Sequence, residues 1–143
     1  MLDVVNTRIK FREPFSPFAP SVRAGDEGRY FDVPSGAEQP VDWMLCVCPT
    51  REAARDFATT HVDGSARCHT VREAANPLYH RLLCEVGERT GHPMVLNTSF
   101  NLKGEPIVST PLDALATFRR CALDTLYVGN FRVTRGDREP PAE

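Results

Sequence analysis

The hydrophobic positions of this chain fall into short blocks separated by turn residues, and each block carries its own period. Leu78, Leu82, Leu83 and Val86 recur at helical spacing. Asn76 precedes them as a cap with Pro77 at the first helical position, and Gly91 supplies the stop, so a helix is predicted between them. Thr110-Pro111 with Asp113 repeats the helix-start signature and opens a second helix to about Cys121, with Leu112, Leu115 and Phe118 turned inward. WMLCVC at 43–48 has the continuous apolar character of a strand covered on both faces, and 51–60 reads as a short helix. HVDGSARCHTV reads as a turn at Asp63-Gly64 with short strands on either side, and Arg67 just past the turn. PMVLNTSF and EPIVST are further strands, the second after a Lys103-Gly104 turn, and TLYVGNFRVTR is a strand pair around Gly129-Asn130. Nearer the N-terminus, residues 2–12 read as an extended segment. Pro14, Pro17 and Pro20 then force a rigid strap anchored by Phe15 and Phe18, and 23–40 is surface loop around one small strand, YFDV.

Strands and helices alternate irregularly, which predicts an α/β or α+β fold with a mixed sheet. At 143 residues the chain is expected to form a single domain, 1–143, with 1–4 and 136–143 frayed. Hydrophobic residues at 41% and charged residues at 25% are those of an ordinary globular domain, which excludes disordered and fibrous classes.

The net charge of -2, with both signs interspersed, leaves no basic field for nucleic acid, so any anion site must be local. No window approaches a membrane span and the first residues lack a signal-peptide core, so no membrane partner is expected and the chain is placed in the cytoplasm. Five cysteines without a secretion signal favour reduced thiols. Cys46 and Cys48 would share one face of the 43–48 strand. With His61, Cys68 and His69 they could gather zinc, but the spacing fits no usual zinc pattern, and buried free thiols are the expectation.

Three groups of residues carry candidate chemistry. Arg8, Lys10 and Arg12 stand at spacing two, so an extended segment would aim all three cations one way. The simpler alternative is a solvated strand face with Ile9 and Phe11 buried behind it. LNTSFN offers Asn97, Thr98, Ser99 and Asn101 in a turn after a strand, a donor-rich concavity suited to phosphate or carboxylate oxygens, or a polar turn that bonds its own backbone. Arg67 could give two parallel hydrogen bonds to a phosphate, or a surface ion pair. There is no GxxxxGK[ST], GxGxxG, Ser-x-Gly elbow or HExxH, so a nucleotide would have to be held by basic side chains and turn amides.

In order and separation, NTRIKFREPFSPFAPSV, HVDGSARCHTV, GHPMVLNTSFNLKGEPIVSTPLDAL and LDTLYVGNF resemble the C-terminal domain of the carbamoyltransferase family that includes nodulation-factor, cephamycin and tobramycin carbamoyltransferases. The resemblance runs from about Val5 to Arg135. It implies a YrdC-like α/β domain, a twisted mixed sheet flanked by helices with a concave basic cavity, in which ATP and carbamoyl phosphate give carbamoyl adenylate. A larger N-terminal catalytic domain, absent from this chain, would pass the carbamoyl group to a hydroxyl acceptor. That domain acting in trans, or a second copy of this chain, is then the expected protein partner.

The resemblance also implies ligand contacts for Lys10, Arg67 and Ser99, with Arg12 and Asn97 as neighbours. Lys10 and Arg67 would be the catalytic cations and all five would bind carbamoyl phosphate and nucleotide. Fixed cations stabilise charge moving among phosphate oxygens most where water is excluded. Mg2+ would accompany ATP, held by phosphates and water, since no carboxylate pair stands ready as its cage. Two departures from the family pattern stand out: Ser16 replaces an arginine of the strap, and Cys68-His69 stands where an apolar residue then glutamine is commoner. A non-catalytic anion-binding module and an inactive remnant are the alternative functions.

Overall fold

The computed structural model describes residues 2–11, 13 and 15–135. The chain divides into two compact units, 17–98 and a second one made from 1–16 with 99–143.

The 17–98 unit is built on a three-stranded mixed sheet in the order β4-β1-β5, with β1 Ala19–Arg23, β4 His69–Val71 and β5 Met94–Asn97. β1 runs parallel to β4, with Ser21 opposite His69, and antiparallel to β5, with Ala19 opposite Asn97. The proline strap therefore leads directly into the central strand. Pro20 is tolerated there because pairing with β4 begins only at Ser21, so at Pro20 the edge of β1 toward β4 has no strand neighbour. Val22, Tyr30, Phe31, Val41, Cys48, Ala66 and Cys68 form the core, and Phe18 is buried as expected. Phe15 is exposed, so one of the two expected anchors is not one.

Two short helices, α2 Glu27–Tyr30 and α3 Glu38–Val41, replace much of the loop expected over 23–40, and YFDV contributes only a bridge from Phe31 to Thr50. The strand expected over 43–48 shrinks to β2 Cys48–Pro49, paired with β3 Ser65–Ala66. Trp43, Leu45 and Val47 are exposed, because a backbone run becomes a strand only where an edge is available to pair with it. The helix expected over 51–60 is a single 3-10 turn, Glu52–Ala54. Asp63-Gly64 is a turn, but its strands β3 and β4 both follow it.

α4 Pro77–Thr90 is bounded as its caps dictate: Asn76 accepts from the Tyr79 N–H and Gly91 ends the helix in the left-handed region. Its inner face is rotated from the expected one. Leu83 is buried, with Val86 and Gly87 half-buried beside it, while Leu78 and Leu82 are exposed. A Cβ at Gly87 would come within 2.8 Å of the Pro93 Cβ and 3.2 Å of its Cα. Gly87→Ala gains about 1 kcal/mol of helix propensity but meets backbone that cannot yield. A net loss of about 1–2 kcal/mol is expected, read as a lower urea midpoint.

The other unit begins with α1 Leu2–Val4, which continues as a π-helix over Val5–Lys10 and ends at Phe11 in the left-handed region. This overturns the extended reading over 2–10, since spacing two is not a common face on a helix. Arg8 points out while Lys10 is buried, and Phe11, expected behind the cations, is half exposed. α5 Pro111–Arg120 opens on a full capping box between Thr110 and Asp113. Ala114, Thr117 and Phe118 are its buried residues; Leu112, expected inside, is exposed. The Arg135 guanidinium stacks on Phe118 and donates to the carbonyls of Phe118, Cys121 and Leu123, closing the helix C-terminus with a cation. Residues 105–110 form no strand, and Ile107 is exposed. β6 Thr125–Val128 and β7 Phe131–Thr134 make the expected hairpin around Gly129-Asn130. The tail 136–143, expected to fray, lies outside the described residues. Helices with a mixed sheet make this an α+β fold.

Candidate functional site

Lys10 is the cation that the fold treats most unusually. It is 7% exposed, and its ammonium donates to the Ser99 carbonyl at 2.5 Å, the Asn101 carbonyl at 2.9 Å and the Asn101 Oδ1 at 2.7 Å, with the Ser99 Oγ at 3.3 Å. The Ser99 hydroxyl donates to the same Asn101 Oδ1 at 2.7 Å, and the Asn101 Nδ2 donates to the Glu105 carbonyl at 2.8 Å. The π-helical turn is what delivers Lys10 to these oxygens, and such turns cluster at functional positions. The SFN turn is thus wrapped on a buried ammonium, and Lys10 and Ser99, two of the expected site residues, are brought together. Nearby, buried Asn6 donates to the Ser16 carbonyl at 2.9 Å, so the position that departs from the family arginine is tied to the same helix by its backbone. Arg12 lies outside the described residues.

In the 17–98 unit the strand register gathers a second polar group. Ser21 on β1, His69 opposite it on β4 and Asn97 opposite Ala19 on β5 all face the same side of the sheet, because Ala19 and Ser21 share a face. Asn97 Nδ2 donates to the Ser21 Oγ at 3.0 Å and to the Met44 sulfur at 3.6 Å, and lies 3.4 Å from His69 Nδ1. The Ser21 Oγ is 2.8 Å from the same Nδ1. Burial pushes the His69 imidazole below its ordinary range, partly opposed by the Asp42 carboxylate, so the ring is neutral near pH 7. Asp42 pairs with Arg72 at 2.6 Å, and its Oδ1 is buried without a hydrogen-bond partner.

Burial alternates along Ala66, Arg67, Cys68 and His69, which turns Arg67 outward. Among the described residues its guanidinium makes no side-chain hydrogen bond and no ion pair, so the alternative of a surface ion pair is not formed there, and the residue is exposed. Cys48 and Cys68 lie buried with sulfurs 3.8 Å apart, and burial pushes the Cys68 thiol up to about 12. Such a thiol is inert at neutral pH. Among the described residues no group of three or more His, Cys, Asp or Glu could hold a metal ion, and no helix is long and apolar enough to cross a membrane.

Sequence reasoning reached Lys10, Asn97, Ser99 and Arg67 but missed Ser21, and it weighed His69 only as a zinc ligand. Ser21 stands in a proline-rich run where nothing local marks a polar site. The one available signal was alternation: an extended APSVR and an extended HTV each offer a polar residue on one face, but which faces meet depends on pairing across 48 residues.

A family model described as the carbamoyltransferase C-terminus matches residues 1–135. Nodulation protein NolNO of Sinorhizobium fredii is 41% identical over 140 residues, covering 96% of this chain and 20% of that protein. Nodulation protein NolO of Bradyrhizobium diazoefficiens is 42% identical over 135 residues, covering 93% and 24%. The 3'-hydroxymethylcephem-O-carbamoyltransferase of Amycolatopsis lactamdurans is 37% identical over 129 residues, covering 90% and 24%. The chain spans about a fifth to a quarter of the length of these relatives.

Proposed function

Since the chain belongs to the carbamoyltransferase C-terminal family, we propose that it binds carbamoyl phosphate and ATP and forms carbamoyl adenylate, the activated donor for transfer to a hydroxyl acceptor. The observation that carries this reading is the buried ammonium of Lys10 set into the Ser99–Asn101 turn, at the positions where the family resemblance implies ligand contacts. A cation fixed in a dry site acts on developing phosphate charge at full strength and needs no reorganisation. Lys10 and Arg67 take the phosphate-neutralising roles, with Arg12 as an additional cation. Ser99 and Asn97 orient the small ligand.

The donors suit a phosphate ligand in each unit taken by itself: the Lys10 ammonium and Ser99 hydroxyl in one, the Arg67 guanidinium in the other. When bound with ATP, Mg2+ supplies charge neutralisation across the phosphates. Phosphate oxygens and water would be its ligands. Five free cysteines fit a reducing compartment, which supports a cytoplasmic site of action.

Transfer to the acceptor is assigned to the part of the relatives that this chain does not span, and a domain of that kind, or a second copy of this chain, is the proposed protein partner. Exposed apolar side chains support such a partner: Leu78 and Leu82 on α4 beside an open groove of about 460 Å³, and in the other unit Tyr127 and Phe131 on the hairpin.

Calorimetry with carbamoyl phosphate, and with ATP and magnesium, tests the reading. Arg67→Ala is expected to weaken phosphate binding at least tenfold, since a charge-assisted contact contributes about 1.5–3 kcal/mol. The melting temperature should stay within about 1 °C, because an outward guanidinium with no side-chain partner among the described residues contributes little to the fold. Unchanged affinity would remove Arg67 from the site. Heat of binding without adenylate formation would leave an anion-binding module in place of an enzyme.

A further inference from the structure

Asn97 is held by more than its strand. Its amide nitrogen has two hydrogens, and the Ser21 Oγ and the Met44 sulfur take both. Ser21 has one hydrogen of its own, and with its oxygen already accepting from Asn97 that hydrogen points to His69 Nδ1, 2.8 Å away. An unprotonated Nδ1, which also has the Asn97 Nδ2 donor 3.4 Å away, gives the chain one polarity: the amide donates to the hydroxyl, the hydroxyl donates to the ring, and the ring carries its hydrogen on Nε2. The opposite amide orientation would set a carbonyl oxygen against the Met44 sulfur, which can only accept. Met44 keeps a left-handed backbone, φ 55°, a conformation that costs a non-glycine residue about 1 kcal/mol or more and persists only where the surroundings enforce it.

With the nitrogen committed inward, Asn97 Oδ1 is what remains. Among the described residues it makes no hydrogen bond, and it is not among the buried atoms left without a partner, so it is an acceptor that is not fully closed off. A carbonyl oxygen held this way is suited to a ligand N–H and repels a phosphate oxygen. Arg67, two residues before His69 and turned outward, provides for phosphate.

We propose that Ser21 and His69 are positioning residues that lock the Asn97 amide with its carbonyl outward, and that this acceptor selects the amino group of carbamoyl phosphate over the methyl group of acetyl phosphate. The proposal rests on the reading of the chain as a carbamoyl phosphate binder and adds the origin of its selectivity. Acetyl phosphate has the same shape and phosphate but no N–H, so it leaves Oδ1 desolvated and unpaired. A site built to hydrogen-bond a group rejects the analogue lacking it.

The test measures dissociation constants for carbamoyl phosphate, acetyl phosphate and inorganic phosphate on the full chain. The wild type is expected to prefer carbamoyl over acetyl phosphate about tenfold. Ser21→Ala and His69→Leu release the amide, and the preference should fall to within about twofold of parity while inorganic phosphate affinity is unchanged. His69→Asn keeps an acceptor at the δ position and should restore most of the preference, an outcome that general loosening of the strand would not give. No preference in the wild type, or a preference that survives both substitutions, overturns the proposal alone. Failure of all three phosphates to bind overturns the functional reading, and the proposal with it. Nitrogen-15 NMR of His69 checks the lock without any ligand: a hydrogen on Nε2 and none on Nδ1 is expected, and a hydrogen on Nδ1 would overturn it.

Discussion

Lys10→Met is expected to destabilise the protein by about 3 kcal/mol, although the substituted residue is a lysine and the replacement matches its length and is apolar. The ammonium is 7% exposed and holds both ends of the SFN turn, through the carbonyls of Ser99 and Asn101 and the Asn101 side chain. Hydrogen bonds to a charged group contribute about 1.5–3 kcal/mol each, and part of that is recovered when the freed carbonyls reach water. The Ser99 hydroxyl still satisfies Asn101 Oδ1, which limits the loss. Denaturant titration reads the effect, with a melting temperature lower by roughly 10 °C for a chain of this size. Had Lys10 lain on a solvated strand face, the same substitution would change stability by less than about 0.5 kcal/mol. A shift that small would contradict the clamp. Phosphate affinity should fall as well, whereas Arg67→Ala moves affinity alone, and the pair of variants separates a cation that builds the site from one that only serves it.

The largest loss is expected for Tyr30→Ala, about 4 kcal/mol. Tyr30 is fully buried, its ring packs at 6.1 Å from both Phe31 and Phe57 and 5.9 Å from His92, and its hydroxyl reaches His92 Nδ1 at 3.2 Å. Truncation opens a cavity among these rings and leaves the histidine nitrogen without its partner. Tyr30→Phe keeps the ring and loses only the hydroxyl contact, and should cost about 1 kcal/mol. The two urea midpoints together distinguish packing from hydrogen bonding; equal losses would mean that the hydroxyl, not the ring, holds the core.

Part of the candidate site was legible because it is carried by short strings. LNTSFN announces a polar turn after a strand and VDGSAR an arginine after a tight turn, and both features are present. Lys10 stands out in the sequence, but for a geometry the fold does not have. Spacing two in RIKFRE suggested three cations on one face of a strand, whereas the π-helical turn sends Arg8 out and Lys10 in. Ser21 and His69 were out of reach, since each acquires its meaning only from the strand beside it.

The same division runs through the fold. What the chain alone determined are features whose physics is complete within a few residues: the Asn76 and Gly91 ends of α4, the Thr110–Asp113 box that opens α5, and the Gly129-Asn130 hairpin. A cap or a turn satisfies its own backbone groups, so no distant partner is needed. What only the tertiary structure decided is anything that requires a partner. WMLCVC and EPIVST are apolar enough for strands, yet only Cys48–Pro49 finds an edge to pair with. APSVR, broken by proline, becomes the central strand because β4 and β5 supply its hydrogen bonds. Which side of a helix is buried was decided in the same way, Leu83 over Leu78 on α4 and Phe118 over Leu112 on α5. Helical spacing lays down a stripe of apolar residues, but the surface packed against it chooses which of them leave water.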